Sequence, residues 1–252
     1  MNTETPPAKI PFYKRHPKLI GAAILLLVFG LAGNWYIKQG TKKEPIQSAS
    51  IIDSLLEETT LNEDGPVATV NGEEVSRLAY TNKLKEINAI LTRQKINTAN
   101  TKIAAEIRQQ AIAELVNFRL LYQTATAAGH TASTEQVNET YREIVADMGD
   151  EETLALALGD NGLTIDDLKQ QLYEQLTVDA YITATVDLAS VTIDPAEVRA
   201  YYDTISTNNP DLPTYEDIRD RLTVELLQQK QQQLVTDLIQ DLRADAEIEV
   251  LI

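Results

Sequence analysis

The chain has 252 residues, 43% of them hydrophobic, with 22 Lys and Arg against 38 Asp and Glu, two His and no Cys. That is enough apolar material for a sizeable core in one or two domains, and the missing cysteines exclude disulfide scaffolds, Cys-zinc sites, thiol catalysis and iron–sulfur clusters. Charge is segregated: residues 1–44 hold seven basic and two acidic side chains, which leaves residues 45–252 at −21, a body that repels phosphate backbones and so excludes nucleic acid as its partner.

Residues 1–18 form a short basic leader that includes Lys14, Arg15 and Lys18. Behind it, Leu19 to Ile37 is a run of nineteen residues without a formal charge. As a helix it would span roughly 28 Å, close to a bilayer hydrocarbon core of about 30 Å. Trp35 and Tyr36 stand at its end, where aromatic residues favour the headgroup layer. The expectation is a single transmembrane anchor with a cytoplasmic N-terminus and a body on the periplasmic or extracellular side. A cleaved signal peptide is the alternative, since Leu31-Ala32-Gly33 offers small residues for cleavage, although the run is long for such a segment. Residues 38–65 read as a polar tether with a short amphipathic stretch at Ile51, Ile52, Leu55 and Leu56.

The folded body is expected over residues 66–252. Val67 to Val75 is β-prone and interrupted by Asn71-Gly72, the preferred pair for a type I′ turn, which predicts a tight hairpin or a strand end. Ser76 can cap the helix that follows, in which Leu78, Leu84, Ile87, Ile90 and Leu91 form the apolar set to about Lys95. The next helix carries Ile103, Ile107, Ala111, Leu115, Phe118 and Tyr122, is widened by Ile112, Val116 and Leu121, and stops at Gly129; its breadth places it centrally. A helix from Ser133 or Thr134, a short one over Asp150 to Leu158, and one opened by the capping box Thr164 and Asp167 complete this part.

Asp194-Pro195 caps a helix bearing Val198, Tyr201 and Tyr202, and a loop from Ser206 to Pro213 leads to a long helix over Tyr215 to Ala244. Glu247 to Ile252 alternates as a strand does, and a lone strand needs a partner. Val67 to Val70 is the only other good candidate, so the two ends of the body are expected to pair. The fold class is mainly α, with a small β element joining its ends.

The stretches VATVNGEEVSRLAY, ELVNFRLLYQTATAAGH, TIDDLKQQL and PTYEDIRDRLTVELLQQKQQQLVTDLIQDLRADAEIEVLI, in this order, resemble the N-terminal chaperone domain shared by SurA, PpiD and related envelope foldases, over about residues 66–252. The resemblance implies a helical body that holds unfolded or newly translocated polypeptides in an apolar cradle. Such proteins usually carry a parvulin prolyl isomerase domain before the terminal helix. Here only Ser206 to Pro213 occupies that place, so the isomerase is expected to be absent.

Nothing else in the chain points to catalysis. His16 and His130 are the only histidines, and His130 after Gly129 reads as a helix-end residue. Asp147, Asp150, Glu151, Glu152, Asp166 and Asp167 fall at helix starts and on polar faces, where they complement the helix dipole. Asp160-Asn161-Gly162 lacks the spacing of a calcium loop, and no phosphate-binding glycine loop is present. No catalytic residue, metal or cofactor is therefore expected.

The candidate client-binding side chains are Phe118, Tyr122, Tyr141, Tyr173, Tyr201 and Tyr202, because tyrosine joins apolar contact to a hydroxyl that tolerates exposure, though each also fits ordinary helix packing. Tyr201 and Tyr202 point about 100° apart on their helix, so full burial of both is not expected. Two function classes follow. One is a membrane-anchored holdase for unfolded or nascent envelope polypeptides, with the translocation machinery as a further partner; the other is a non-catalytic scaffold subunit of an envelope translocation or assembly complex.

Overall fold

The computed structural model describes residues 65–93, 101–207, 209 and 211–252. The expected leader, the anchor at Leu19 to Ile37 and the tether up to residue 64 lie outside the described residues. Among the described residues no helix is long and apolar enough to cross a membrane.

The body is mainly helical, with one small antiparallel sheet. In chain order the elements are β1 (Ala68–Val70), β2 (Glu73–Val75), α1 (Arg77–Arg93), α2 (Thr101–Ala127), α3 (Thr134–Met148), α4 (Glu151–Gly159), α5 (Ile165–Thr185), α6 (Pro195–Thr207), α7 (Tyr215–Ala244) and β3 (Ile248–Val250). The sheet order is β2-β1-β3, so the strand nearest the start of the body is sandwiched between its hairpin partner and the last strand. Ala68 faces Val75 on one side and Val250 on the other, and Val70 faces Glu73 and Ile248.

Two residues make that closure possible. Asn71 and Gly72 both take positive φ, at 50° and 82°, as the tight turn requires. Asn71 then serves as a clasp. Its backbone N–H donates to the Glu247 carbonyl at 2.7 Å, its Oδ1 accepts from the Glu247 N–H at 2.9 Å, and its Nδ2 donates to Gln123 of α2 at 2.9 Å. Gln123 in turn donates to the Val70 carbonyl at 2.8 Å, so turn, central helix and final strand share one network.

Helix starts follow the sequence signals. Ser76 Oγ accepts from the Ala79 N–H, Ser133 and Gln136 form a capping box, and Asp150 and Thr164 cap α4 and α5 through the Thr153 and Asp167 amides. In α1 the buried stripe is Tyr80, Leu84, Ile87 and Leu91, and Leu78 is 46% exposed, contrary to the expectation that it faces inward. The spacing 80, 84, 87, 91 keeps one face of a 3.6-residue helix, whereas Leu78 lies about 160° from Tyr80 on that wheel.

Among the described residues, three apolar clusters join the sheet, α1, α2, α5, α6 and α7. The first joins the sheet to α1 and the N-terminal half of α2 through Val67, Val70, Tyr80, Leu84, Ile107 and Val116. The second joins the C-terminal half of α2 to α5 and α7 through Leu121, Ala125, Val178, Ile182, Val235 and Ile239. The third is separate and smaller, with Val198 of α6 against Ile218 and Leu222 of α7. Thus α7, thirty residues and roughly 45 Å long, belongs to the main body at its C-terminal end and to an α6–α7 arm at its N-terminal end.

Candidate functional site

The two ends of α7 are buried on different faces. Leu222 and Val235 are thirteen residues apart, which is 3.6 turns, so they point about 140° away from each other. Between them α7 carries no buried residue over residues 223–234. Val224 is eleven residues before Val235, close to three whole turns, and so lies within about 20° of it. Yet Val235 is 0% exposed and Val224 is 54% exposed. The face of α7 that is core at Val235 meets solvent at Val224, because α6 covers the opposite face, where Leu222 lies about 160° from Val224.

Between Val224 and Val235 the segment linking α5 to α6 braces the same face, where Gln231 stands. Gln231 donates to the Leu188 carbonyl at 3.0 Å, and Lys230 meets Glu197 at 2.7 Å, fixing the start of α6 to the middle of α7. Lys230 and Gln231 of the Gln228–Gln233 run therefore brace a continuous helix from outside. Half-buried Leu226 and Leu227, with exposed Val224 and Leu234, give this span apolar surface between the two clusters.

The six aromatic candidates do not gather at one place. Phe118 and Tyr122 are half-buried on α2, packed against the second cluster, and Tyr173 of α5 lies beside Tyr122. Arg119 sits over the Tyr122 ring at 5.7 Å and reaches Glu73 of β2 and Glu174 of α5, each at 3.8 Å. Burial, then Glu174 and Tyr173, hold the Tyr122 hydroxyl above its usual range, with Arg119 opposing. Tyr141 is buried on α3 under the Lys169 ammonium, 4.6 Å from the ring, so it is a packing residue and is not offered to a client.

Tyr201 and Tyr202 are half-buried, consistent with their divergence on the helix, but neither stands free. The Tyr201 hydroxyl donates to Glu225 at 2.9 Å and that of Tyr202 to the Pro213 carbonyl at 3.1 Å. Tyr202 also meets Tyr215 edge-on at 5.5 Å, with Arg199 over both rings. The pair fastens α6 to α7, and replacing it by Ser would loosen the arm as well as remove aromatic surface. His130 behaves as a helix-end residue: its N–H closes the end of α2 on the Ala125 carbonyl, and its ring packs against Tyr181 at 5.6 Å.

Sequence reasoning missed Val224 because it continues the Val235 stripe, and periodicity does not say where along a helix such a stripe stops being covered.

One buried group on α5 has no partner. Asp179 is 9% exposed, its Oδ2 finds no hydrogen bond among the described residues, and burial raises its carboxyl from 3.8 to about 7. Its folded form therefore prefers the proton, so this group's contribution is most favourable below about pH 4 and is lost as pH rises through about 7. Asp179→Asn is expected to raise stability at pH 8 by an amount on the order of 2–4 kcal/mol and to leave it nearly unchanged at pH 4. Urea unfolding of both forms at the two pH values measures this, and equal gains at both would refute it.

With this architecture, the family model for the SurA-like N-terminal domain matches residues 16–182. The chain belongs to that family. The match begins well before the expected body and stops within α5, so α6, α7 and β3 extend beyond it. No curated protein matches the chain. Membership of the SurA-like N-terminal family carries a folding-associated role.

Proposed function

We propose that this SurA-like chain is a membrane-anchored extracytoplasmic holdase. Leu19 to Ile37 is its anchor, residues 1–18 are cytoplasmic, and the body beyond the tether captures unfolded or newly translocated polypeptides without nucleotide, metal or covalent chemistry. The observation that carries the reading is Val224, an apolar side chain 54% exposed on the α7 face that is core at Val235, bordered by the α6–α7 arm. Exposed apolar surface of this kind serves binding, and the strong negative charge of the body opposes self-association.

The reading also holds that the chain is not a prolyl isomerase, because α6 ends at Thr207 and α7 starts at Tyr215, a separation too short for a domain of roughly 90 residues. Capture is apolar, so it survives added salt. Suppression of aggregation of several unrelated unfolded proteins is expected to persist as the Debye length shrinks from about 10 Å at 0.1 M to about 3 Å at 1 M salt. Saturable binding to one envelope protein, with no suppression for the others, would instead establish the scaffold reading.

A further inference from the structure

The segment from α3 to α5 concentrates charge of one sign. Between Arg142 and Lys169 there are eight acidic residues and no Lys, Arg or His. In the middle lies α4, nine residues with the apolar run Leu154-Ala155-Leu156-Ala157-Leu158. Only Leu154 of this run is buried. Leu156 is 68% exposed, more than any other large hydrophobic side chain among the described residues.

The surroundings of Leu156 are specific. Residues four apart share a helix face, so Glu152 and Asp160 stand one turn before and one turn after it, each displaced about 6 Å along the axis. Ala155 and Gly159, both exposed, flank this row with little side chain, so the leucine stands proud between two carboxylates. Neither Glu152 nor Asp160 meets a basic side chain among the described residues.

The placement of Asp160 does not serve α4. It occupies the C-cap position, and the last turn holds no basic residue. The C-terminus of a helix carries partial negative charge, so a carboxylate there is unfavourable and a cation is favoured. The acidic end of α4 thus lacks the countercharge that helix stability would choose, and an arriving cation would supply it.

We propose that the outward face of α4, the row Glu152–Leu156–Asp160, docks polypeptide segments in which Lys or Arg flanks an apolar residue. The apolar group packs on Leu156 and the cations meet the carboxylates on either side. This rests on the holdase reading and deepens it by naming a client class: basic, apolar segments are met at α4, and uncharged apolar segments at the open face of α7. An anionic membrane surface is disfavoured, because the same charges repel it.

The test uses the full chain and three synthetic peptides that share one apolar centre flanked by Lys, by Gln or by Glu. At low salt the Lys-flanked peptide is expected to bind about fivefold or more tighter than the Gln-flanked one, and the gap should close in high salt. Leu156→Gln should weaken the Lys-flanked peptide severalfold, and Glu152→Gln with Asp160→Asn should abolish the preference. These positions are exposed, and unchanged circular dichroism and melting would confirm that each variant folds. Equal binding of Lys- and Glu-flanked peptides, or variants that leave Lys-flanked binding intact, would overturn the proposal. So would concentration-dependent self-association of the chain that Leu156→Gln abolishes, since a second copy would then be the occupant. Aggregation assays with uncharged clients run in parallel separate the two readings: suppression retained without the Lys preference sinks only the α4 proposal, whereas no suppression by the unmodified chain sinks the holdase reading.

Discussion

Truncation after Ala246 is expected to lower the melting temperature of the folded body by about 10–20 °C, with a loss on the order of 5 kcal/mol. The strand removed is short and mostly exposed, and its own side chains contribute little. What it protects is β1. Val67, Ala68 and Val70 are fully buried at the head of the first cluster, and without β3 one edge of their strand opens to solvent. The bonds lost with it include those between Asn71 and Glu247 and that from the Leu251 N–H to the Val67 carbonyl at 2.9 Å. Asn71→Ala is the point-mutation counterpart. It removes two side-chain hydrogen bonds and puts an alanine at positive φ, a combined loss of about 2–3 kcal/mol. Thermal unfolding by circular dichroism measures both, and a truncated chain that melts with the full one would show that the closing strand is decorative.

The second large effect concerns binding. Val224→Asp is expected to weaken capture of unfolded clients about tenfold while leaving the melting temperature within a few degrees of the parent. The reason is the contrast along one helix face. At Val235 that face is in the core, where a carboxylate would be buried without a partner and would unfold the region. At Val224 the same face meets water, and a carboxylate there removes apolar contact and nothing else. Client titration and melting of the two variants, side by side, check this. A Val224→Asp chain that melts early would mean that the position is structural.

Much of the fold is legible in the sequence because its signals are local. Asn71-Gly72 states its turn, Thr164 with Asp167 states the start of α5, and the apolar spacing of residues 215–244 states one unbroken helix through the glutamine run. The pairing of β1 with β3 is legible for a different reason: a lone terminal strand in a helical chain has only the strand at the other end of the body to pair with. β2 is ambiguous in the sequence, since the residues after a tight turn extend a hairpin only if the ladder continues.

The site is less legible. Periodicity reports that a residue is on an apolar face, not which neighbour covers it. The two stripes of α7 overlap in the sequence, and only the arrival of α6 on one of them reveals that the other is open at Val224. The roles of Tyr201 and Tyr202 depend on Glu225 and the Pro213 carbonyl, groups brought to them by the fold of the arm. Asp179 reads as an ordinary polar position until its burial is known.

The most direct test of the open α7 face as a client surface is site-specific photocrosslinking in the full chain. A photoreactive side chain at position 224 is compared with one at Gln240, an exposed position on the same helix. The expected result is that several unrelated unfolded proteins each crosslink at 224 and only weakly at 240, at low and high salt alike. Equal crosslinking at the two positions, or crosslinking at 224 to a single folded envelope protein only, would contradict it.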